Sequence, residues 1–390
     1  MNFLSIFFTK QNIINIVLIG FILRIIVLIF NINLNFGDTQ THKLMGEEIF
    51  NQQLVTSSIH MPGYGIYIYI NNFLLNSEYG FLFMDILIST SSIFLIYLIS
   101  KKIFKDELIS KISAFIFALY PFSIFYSVSG LNETLYIFLL LLSFLNFYER
   151  KYNLAIIFIV LSIYVKSISF YIAPILLLTF LIIEKNNLEK IFKFFLKYLL
   201  ILIIFMSPWW IHNFKKFNAF VPTDLGYGYH LYSGNNIMNE TGGGIGGIDV
   251  DHQPILDVSD NGKHDYFKAD KVFKTEAYKF IIENPKQFLN LSIKKFFRFW
   301  RIYPYTNEYN NFFYKTVSIF SFGLILVFSS LFLFLYPKKK YADIIPLLLT
   351  VLLFTFIYTI TISSIRYRFP IEPLLIILSS YSIKKILFSR

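Results

Sequence analysis

The sequence predicts an all-α polytopic membrane protein with about ten transmembrane helices, and three observations point to this class. Hydrophobic residues make up 56% of the 390 residues and the mean hydropathy is +0.59, values well above those of soluble globular domains. Apolar runs long enough to cross a bilayer recur everywhere except in residues 32–80 and 211–312. Short lysine clusters separate these runs, as in the loops of membrane proteins.

The apolar runs predict the individual spans, because about 20 apolar residues are enough to cross the hydrocarbon core. The predicted spans cover residues 12–31, 81–100, 108–126, 131–148, 154–165, 168–184, 194–210, 313–336, 342–361 and 370–387. The first, "NIINIVLIGFILRIIVLIF", is too long for a signal peptide and has no small-residue cleavage site. It is therefore predicted to be a retained span.

The positions of the basic residues predict the orientation. With the N-terminus inside, the clusters around residues 101–111, 150–151, 185–193, 338–340 and 384–385 all fall on the cytoplasmic side. Residues 32–80, residues 211–312 and the "RYR" at 366–368 then lie outside. This divides the chain into an N-terminal transmembrane core (1–210) with the first external loop (32–80), an external segment (211–312) and C-terminal helices (313–390). The net charge of +11 follows the loops and does not indicate nucleic acid as a partner.

The two external segments carry different patterns. In the first, "PGYGIYIYINNFLL" is too short to span and aromatic enough to form a juxtamembrane helix. The second begins with the glycine- and asparagine-rich loop "YSGNNIMNETGGGIGGIDVD" and continues with two amphipathic helices that are broken near Pro285.

The arginines of "RYRFPIEPLL" are candidates for binding an anion. Phe369 precedes Pro370 and is therefore expected to be extended, with the last helix beginning at Pro370. In an extended "RYRF", Arg366 and Arg368 project to the same side, where their guanidinium groups suit a phosphate. Snorkelling at the interface is the alternative.

Further cations and acids are predicted at the same membrane face. Lys166 ends a span there, although a plain hairpin tip would also place a lysine at the interface. Asp38 and His42 are four residues apart and share a helix face, so Asp38 is a candidate general base, with an N-cap as the alternative. Glu133 opens a span, where the helix dipole also favours an acid.

No metal or cofactor is predicted, although a divalent ion stays open. Asp249 and Asp251, near His252, are ligand types, but they lie in a glycine-rich loop without a known ligand spacing. The chain has no cysteine, which excludes thiolate sites and disulfides. "GGGIGG" is not followed by lysine, so no Walker-type nucleotide motif is present.

Several motifs in this order resemble the polytopic GT-C glycosyltransferases, especially glycosyltransferase family 39 and the aminoarabinose-transferase-like group. They are "GDTQTHKLMGEEI", "HMPGYGIYIYI", "ALYPFSIFYSVSGLNETLYIFLLLL", "SPWWIHNFKKFNAFVPT" and "RYRFPIEPLL". The resemblance implies that Asp38 is the essential acid and Glu133 a second catalytic acid. It also implies that Lys166, Arg366 and Arg368 bind the donor phosphate, although Lys166 stands where the family more often has Arg-Pro. His42 is expected to line the external cavity on the face that it shares with Asp38.

The same resemblance implies that His60 and Tyr64 line that cavity, with "PGYG" in place of the commoner "PGYP". The expected activity is an inverting sugar transfer from a polyprenyl-phosphate-linked donor to a lipid, glycan or protein acceptor at the external face of the cell membrane. An O-antigen polymerase or ligase type of enzyme with a lipid diphosphate donor is one alternative. A transporter is the other, and would place ionisable residues near the bilayer midplane, where only Arg24 is found.

Overall fold

The computed structural model describes residues 12–30, 36–56, 58–184, 187–243, 259–260, 263–304 and 311–388. Within these ranges the regular secondary structure is helical apart from one antiparallel pair of two-residue strands, β1 (Ser259–Asp260) and β2 (Lys263–His264). The predicted all-α class is confirmed. The candidate metal residues Asp249, Asp251 and His252 lie outside the described residues.

The part of the chain before the strand pair contains eleven described helices. They are α1 (Ile13–Phe30), α2 (Gly37–Phe50), α3 (Gly63–Leu74), α4 (Gly80–Phe104), α5 (Glu107–Leu119), α6 (Pro121–Tyr126), α7 (Glu133–Tyr148), α8 (Tyr152–Val165), α9 (Ser169–Ile183), α10 (Leu188–Phe217) and α11 (Tyr227–Gly234). Helix α3 forms where the sequence predicts a short helix within residues 32–80.

The remaining helices follow the strand pair. They are α12 (Tyr266–Glu283), α13 (Pro285–Phe299), α14 (Phe312–Ser318), a π-helical turn (Ile319–Gly323), α15 (Leu324–Leu335), a 3-10 turn (Lys338–Asp343), α16 (Ile345–Ile360), α17 (Ile365–Arg368), a 3-10 turn (Phe369–Ile371) and α18 (Glu372–Leu387). Helices α12 and α13 are the two predicted amphipathic helices, and Pro285 begins the second.

Helices occupy all ten predicted spans, but a count of ten membrane crossings is not confirmed. Among the described residues, four helical stretches are long and apolar enough to cross a bilayer: Ile13–Phe30, Gly80–Phe104, Leu188–Phe217 and Phe312–Leu335. Helices α7, α8, α9 and α16 are apolar but shorter. The predicted span 108–126 is interrupted at Tyr120, whose backbone is extended (ψ 116°) because Pro121 follows it.

The segment around the two arginines differs from the expectation. Residues 365–368 form the short helix α17 instead of an extended strand, and the last α-helix begins at Glu372 instead of Pro370. Ser364 caps α17 by accepting a hydrogen bond from the Arg366 backbone N–H. Phe369 is helical in spite of the following proline (φ −48°, ψ −39°), and its buried ring stacks on Tyr126 at 4.3 Å. Tertiary packing has outweighed the local preference of a residue before proline.

Most buried side chains belong to one apolar cluster, and the helices pack so that several of their ends meet at one face. Helix α7 packs against α8 and α4, α2 packs against α3, and α13 packs against α16. The start of α7, the end of α8 and the start of α2 lie near α17, where hydrogen bonds join Glu133 and Asp38 to Arg366 and Glu133 to Lys166. Arg24, buried in α1, donates hydrogen bonds to Ser89 Oγ at 2.8 Å and Ser123 Oγ at 2.9 Å. Such contacts tie three helices together, which is a structural role and not the one expected of a transport site.

Candidate functional site

Arg366 joins two acids that are far apart in the sequence. Its Nε donates to Glu133 Oε1 at 2.7 Å and its Nη1 donates to Asp38 Oδ2 at 2.7 Å. Lys166 Nζ reaches the same Glu133 oxygen at 2.8 Å. Two cations and two carboxylates thus form one network, which we call the Arg366 network: Asp38, Glu133, Lys166 and Arg366.

Helix ends hold the members of this network in place. Glu133 is the first residue of α7 and is fully buried, while Lys166 is the extended residue that ends α8. Asn132 Nδ2 donates to Val165 O at 3.3 Å and so links the two helix ends. A hairpin-tip lysine reaching the interface does not describe Lys166, whose side chain is only 13% exposed.

Asp38 lies in the first turn of α2. The N-cap position belongs to Phe36, and no side chain caps this helix, so the alternative that Asp38 is an N-cap is wrong. Thr39, next in the chain, donates its hydroxyl to Gly130 O at 2.9 Å and ties α2 to the loop before α7. The Asp38 side chain is 36% exposed and that of Arg366 is 30% exposed, so this part of the network is accessible to solvent.

A histidine pair lies beside Asp38. His60 Nε2 is 3.8 Å from Asp38 Oδ1, and the rings of His42 and His60 are 4.8 Å apart. Asp38 and His42 share one face of α2, as their spacing predicts. Helix α2, which carries His42, and helix α3, which begins three residues after His60, approach closely: a Cβ on Gly46 would lie only 2.3 Å from Gly65 O.

Tyr64 contacts the His42 ring of this pair. Its ring meets the His42 ring edge-on at 5.3 Å, and its hydroxyl donates to Asp85 Oδ2 at 2.7 Å. Tyr64 and His42 are both buried, whereas the His60 side chain is 23% exposed. Of these three predicted cavity residues, His60 is the one that reaches the open side.

The charges of the site set its protonation. Burial would raise the pKa of Asp38, but the charge of Arg366 and its hydrogen bond to Asp38 reverse the shift and lower that pKa to about 2. Burial lowers the pKa of His42 to about 3 and also lowers that of His60. Burial lowers the pKa of Arg366 as well, but Glu133 and Asp38 more than offset it and hold that pKa well above its usual range. At neutral pH the acid is therefore ionised, the arginine is charged and both histidines are neutral.

Arg368 lies outside this network, which corrects the expectation of a two-arginine clamp on one side. In a helix, residues two positions apart point to opposite sides. Arg368 is fully buried, and its Nε donates to Glu372 Oε1 at 2.7 Å while Nη1 donates to Phe299 O at 2.8 Å. Its guanidinium also lies 3.5 Å from the centre of the Phe322 ring. Glu372, in the first turn of α18, is thus the ion-pair partner of Arg368.

The described residues do not offer a ready-made metal site. No group of three or more histidine, aspartate or glutamate side chains in the described ranges could hold an ion together. Asp38, the carboxylate nearest the histidines, is already paired with Arg366. We therefore derive no chemical step that passes through a metal.

Sequence reasoning missed His230 and Asp224, which lie close to His60. A Cβ on Gly226 would be 2.7 Å from Ile59 O, 3.6 Å from His230 Nε2 and 3.7 Å from Asp224 Oδ1. Burial lowers the pKa of His230 to about 4; His60 and Lys166 also lower this pKa, while Asp38 raises it. The only sequence signal for His230 is a lone histidine between aromatic residues in "GYGYHLY", which does not distinguish a site residue from a packed one.

Comparisons with known proteins bear on the fold. No protein-family model matches the chain, and no curated protein matches it either. Solved structures of the archaeal oligosaccharyltransferase AglB from Archaeoglobus fulgidus do match. The structure with an inhibitory peptide and a dolichol-phosphate has a TM-score of 0.60 and 13% identity, and the match covers 98% of this chain and 51% of that one.

Two further structures of the Archaeoglobus fulgidus enzyme agree with this match. The apo form has a TM-score of 0.57 at 13% identity, covering 98% of this chain and 52% of that one. The complex with Zn and sulfate has a TM-score of 0.54 at 12% identity, covering 96% and 49%. The chain thus spans about half the length of the structures it matches and shares their fold, which confirms the GT-C-like architecture. The narrower assignment to family 39 or the aminoarabinose-transferase-like group stays a prediction.

Proposed function

We propose that this chain is a membrane glycosyltransferase that transfers a sugar from a polyprenyl-phosphate-linked donor to an acceptor at the external face of the cell membrane, with inversion. The observation that carries the proposal is the Arg366 network, which sets a partly exposed acid, Asp38, beside two cations. A transfer from a lipid phosphate needs both parts, a base for the acceptor and cations for the leaving group. The fold shared with an archaeal oligosaccharyltransferase, solved with a dolichol-phosphate, supports this class of reaction.

The donor phosphate would compete with the carboxylates for Arg366. Arg366 already makes charge-assisted bonds to two carboxylate oxygens, and a phosphate offers the same kind of acceptor. When the donor phosphate takes the Arg366 Nη1 bond, Asp38 loses its main stabilising partner. The pKa of Asp38 then rises from its low value and the carboxylate becomes a better base.

The transfer itself is a single displacement. The acceptor hydroxyl or amine attacks the anomeric carbon and gives its proton to Asp38, while the bond between that carbon and the phosphate oxygen breaks. The electron pair of this bond leaves with the polyprenyl phosphate, whose growing charge Arg366 and Lys166 stabilise in a partly buried site. Attack opposite the leaving group inverts the anomeric configuration.

Glu133 has a different role from Asp38. It is buried and holds both cations on one oxygen, so the proposal makes it a positioning residue and not a second catalytic acid. His60, on the open side of the site, is proposed to contact the sugar or the acceptor. Arg368 is left out of the phosphate site because its charge is paired with buried Glu372.

The proposed external location of the site rests on the basic residues at the helix ends that lie away from it. Lys101 and Lys102 lie in the last turn of α4, and Lys384 and Lys385 in the last turn of α18. Helix α18 begins at Glu372, close to α17, so its basic end points away from the Arg366 network. Basic residues favour the cytoplasmic side, which leaves the site outside. Lipids, glycans and proteins remain the acceptor classes, and an acceptor peptide was present in one matching structure.

The test is donor consumption by the purified full chain. Detergent-solubilised protein is incubated with polyprenyl-phosphate sugars and crude envelope acceptors, without nucleotide sugar, and the release of free polyprenyl phosphate is measured. Asp38→Asn should lower the rate about 100- to 10,000-fold, the usual worth of a general base. Glu47→Gln is the matched control, since Glu47 is an exposed carboxylate on the same helix, and it should leave the rate unchanged.

Three outcomes would contradict the proposal. Full activity of Asp38→Asn would remove Asp38 as the base. Failure to consume any lipid-phosphate donor, with turnover of lipid diphosphate donors instead, would favour the polymerase or ligase type of enzyme. Turnover of neither donor class would favour a transporter.

A further inference from the structure

A basic cavity lies at the end of the helices opposite to the Arg366 network. Helix α8 runs from Tyr152 to Val165, next to Lys166, and its 14 residues separate the two ends by about 21 Å. The cavity has a volume of about 630 Å³ and is formed by the start of α8, the end of α9 and the start of α10. We call it the basic cavity.

Five cations line the basic cavity, and only one lining residue is an acid. The cations are Arg150, Lys151, Lys190, Lys193 and Lys197, and the acid is Glu184. Three of the lysines have carboxylate partners: Lys151 pairs with Glu149 at 2.7 Å, Lys190 with Glu184 at 3.3 Å and Lys193 with Glu189 at 2.5 Å. Glu149 is shared with Lys102 at 3.3 Å. Within the described ranges Arg150 and Lys197 have no ion-pair partner, so at least two of the five lining cations are not compensated by a carboxylate.

The wall behind these cations is rigid and aromatic. Phe180 and Phe194 are buried and stack at 4.6 Å, and the Tyr152 ring meets both of them edge-on at 4.9 and 5.8 Å. Three packed rings from three helices fix the shape of the cavity. A ligand would therefore enter a preformed site and would not have to order it.

Helix α10 presents two different stripes beside the cavity. Lys190, Lys193 and Lys197 recur at spacings of three and four residues, and all three line it. Leu188, Phe192, Leu196 and Leu200 form a neighbouring stripe at spacings of four, with exposures of 79%, 60%, 46% and 60%. In a helix apolar enough to cross a bilayer, such a stripe faces lipid chains. Leu154, 43% exposed, lines the cavity and joins its apolar side.

We propose that the basic cavity binds the phosphodiester headgroup of an anionic phospholipid. The phosphate would be held by Arg150 and Lys197, and the acyl chains would lie along the apolar stripe of α10. A basic pocket between membrane helices that opens onto an apolar, lipid-facing surface matches both ends of such a lipid. A soluble phosphate compound shares the headgroup chemistry but leaves the apolar stripe unused. This site is separate from the proposed catalysis, and its test does not depend on sugar transfer.

The test measures lipid binding by the full chain. Purified protein in a neutral detergent is titrated with phosphatidylglycerol, with phosphatidylcholine or with glycerol 3-phosphate, and native mass spectrometry counts the bound molecules. Phosphatidylglycerol should bind at least about tenfold more tightly than phosphatidylcholine, as expected for about two neutralised cations near a membrane surface. Glycerol 3-phosphate should bind more weakly than the lipid.

Variants separate the cavity from general surface charge. Arg150→Gln combined with Lys197→Gln should remove the preference for phosphatidylglycerol. Lys338→Gln combined with Lys339→Gln is the matched control, because these exposed lysines lie between α15 and α16, outside the cavity, and carry the same charge. The control should keep the preference.

Three results would overturn the proposal. The first is an equal loss of preference in the control, which would assign binding to net charge. The second is equal affinity for both phospholipids in the wild type. The third is equal affinity for glycerol 3-phosphate and phosphatidylglycerol, which would assign the cavity to a soluble anion.

Discussion

Replacing Arg368 distinguishes a donor-binding arginine from a structural one. In Arg368→Ala, the buried Glu372 keeps only Tyr120, whose hydroxyl donates to Glu372 Oε2 at 2.6 Å. The backbone carbonyl of Phe299 loses its 2.8 Å hydrogen bond, and Phe322 loses a guanidinium 3.5 Å from its ring centre. The variant is therefore expected to lose stability and not donor affinity in particular.

The size of the loss follows from burial. Both side chains of the pair are at most 1% exposed, and removing one partner of such a pair costs about 3–5 kcal/mol. A value of about 4 kcal/mol corresponds to roughly a thousandfold fall in the ratio of folded to unfolded protein. Arg368→Met combined with Glu372→Gln removes both charges at similar volume and should recover most of this loss.

The assay follows thermal unfolding in detergent by size-exclusion chromatography after heating, with donor affinity measured on the protein that stays folded. Arg368→Ala should unfold at a clearly lower temperature, and the double variant should be close to wild type in both measurements. If Arg368→Ala unfolds like wild type but no longer binds the lipid-phosphate donor, the reasoning is refuted and the two-arginine clamp is right.

Three further predictions concern the site and its supports. Glu133→Gln should lower the unfolding temperature, because Lys166 and Arg366 lose the negative charge that they share. The lipid-phosphate donor should then stabilise this variant more than it stabilises wild type. A smaller stabilisation by the donor would argue against a phosphate site at these cations. Burial lowers the pKa of His42 from 6.5 to about 3, so the unfolded state binds a proton at His42 more readily than the folded state does. The free energy of unfolding should therefore fall as the pH drops below about 6.5, and His42→Gln should flatten this part of the stability profile. An unchanged slope would rule out His42 as its source. Gly46→Ala should reduce activity by pushing α2 away from α3, because the added Cβ would lie 2.3 Å from Gly65 O. Gly37→Ala is the control and should behave like wild type, since nothing lies within 4 Å of its added Cβ. Similar activity in the two variants would contradict the argument that α2 and α3 must approach closely.

Much of the fold could be predicted from the sequence, because the length and hydrophobicity of an apolar run are local properties, and they decide whether the run can cross a bilayer as a helix. Helices occupy all ten predicted spans, and the break at Pro285 was visible from the same pattern. The count of ten spans was not confirmed, and the backbone at Phe369 was predicted wrongly, because helix length and packing decide these two points. Helices α7, α8, α9 and α16 are too short to count as spans by themselves, and Phe369 is helical because its ring packs on Tyr126, against the local effect of the following proline.

For the candidate site, the sequence by itself determined which residue types stand at these helix ends, and the spacing of Asp38 and His42 fixed their shared face. Only the tertiary structure decided the partners, because Glu133 and Arg366 meet across 233 residues and no local pattern encodes such a contact. It also separated Arg366 from Arg368. Two arginines at neighbouring positions have the same chemistry, but the helical turn of α17 sends one to Asp38 and Glu133 and buries the other against Glu372. Burial and pairing, which belong to the folded chain as a whole, made one of them a candidate phosphate ligand and the other a structural ion pair.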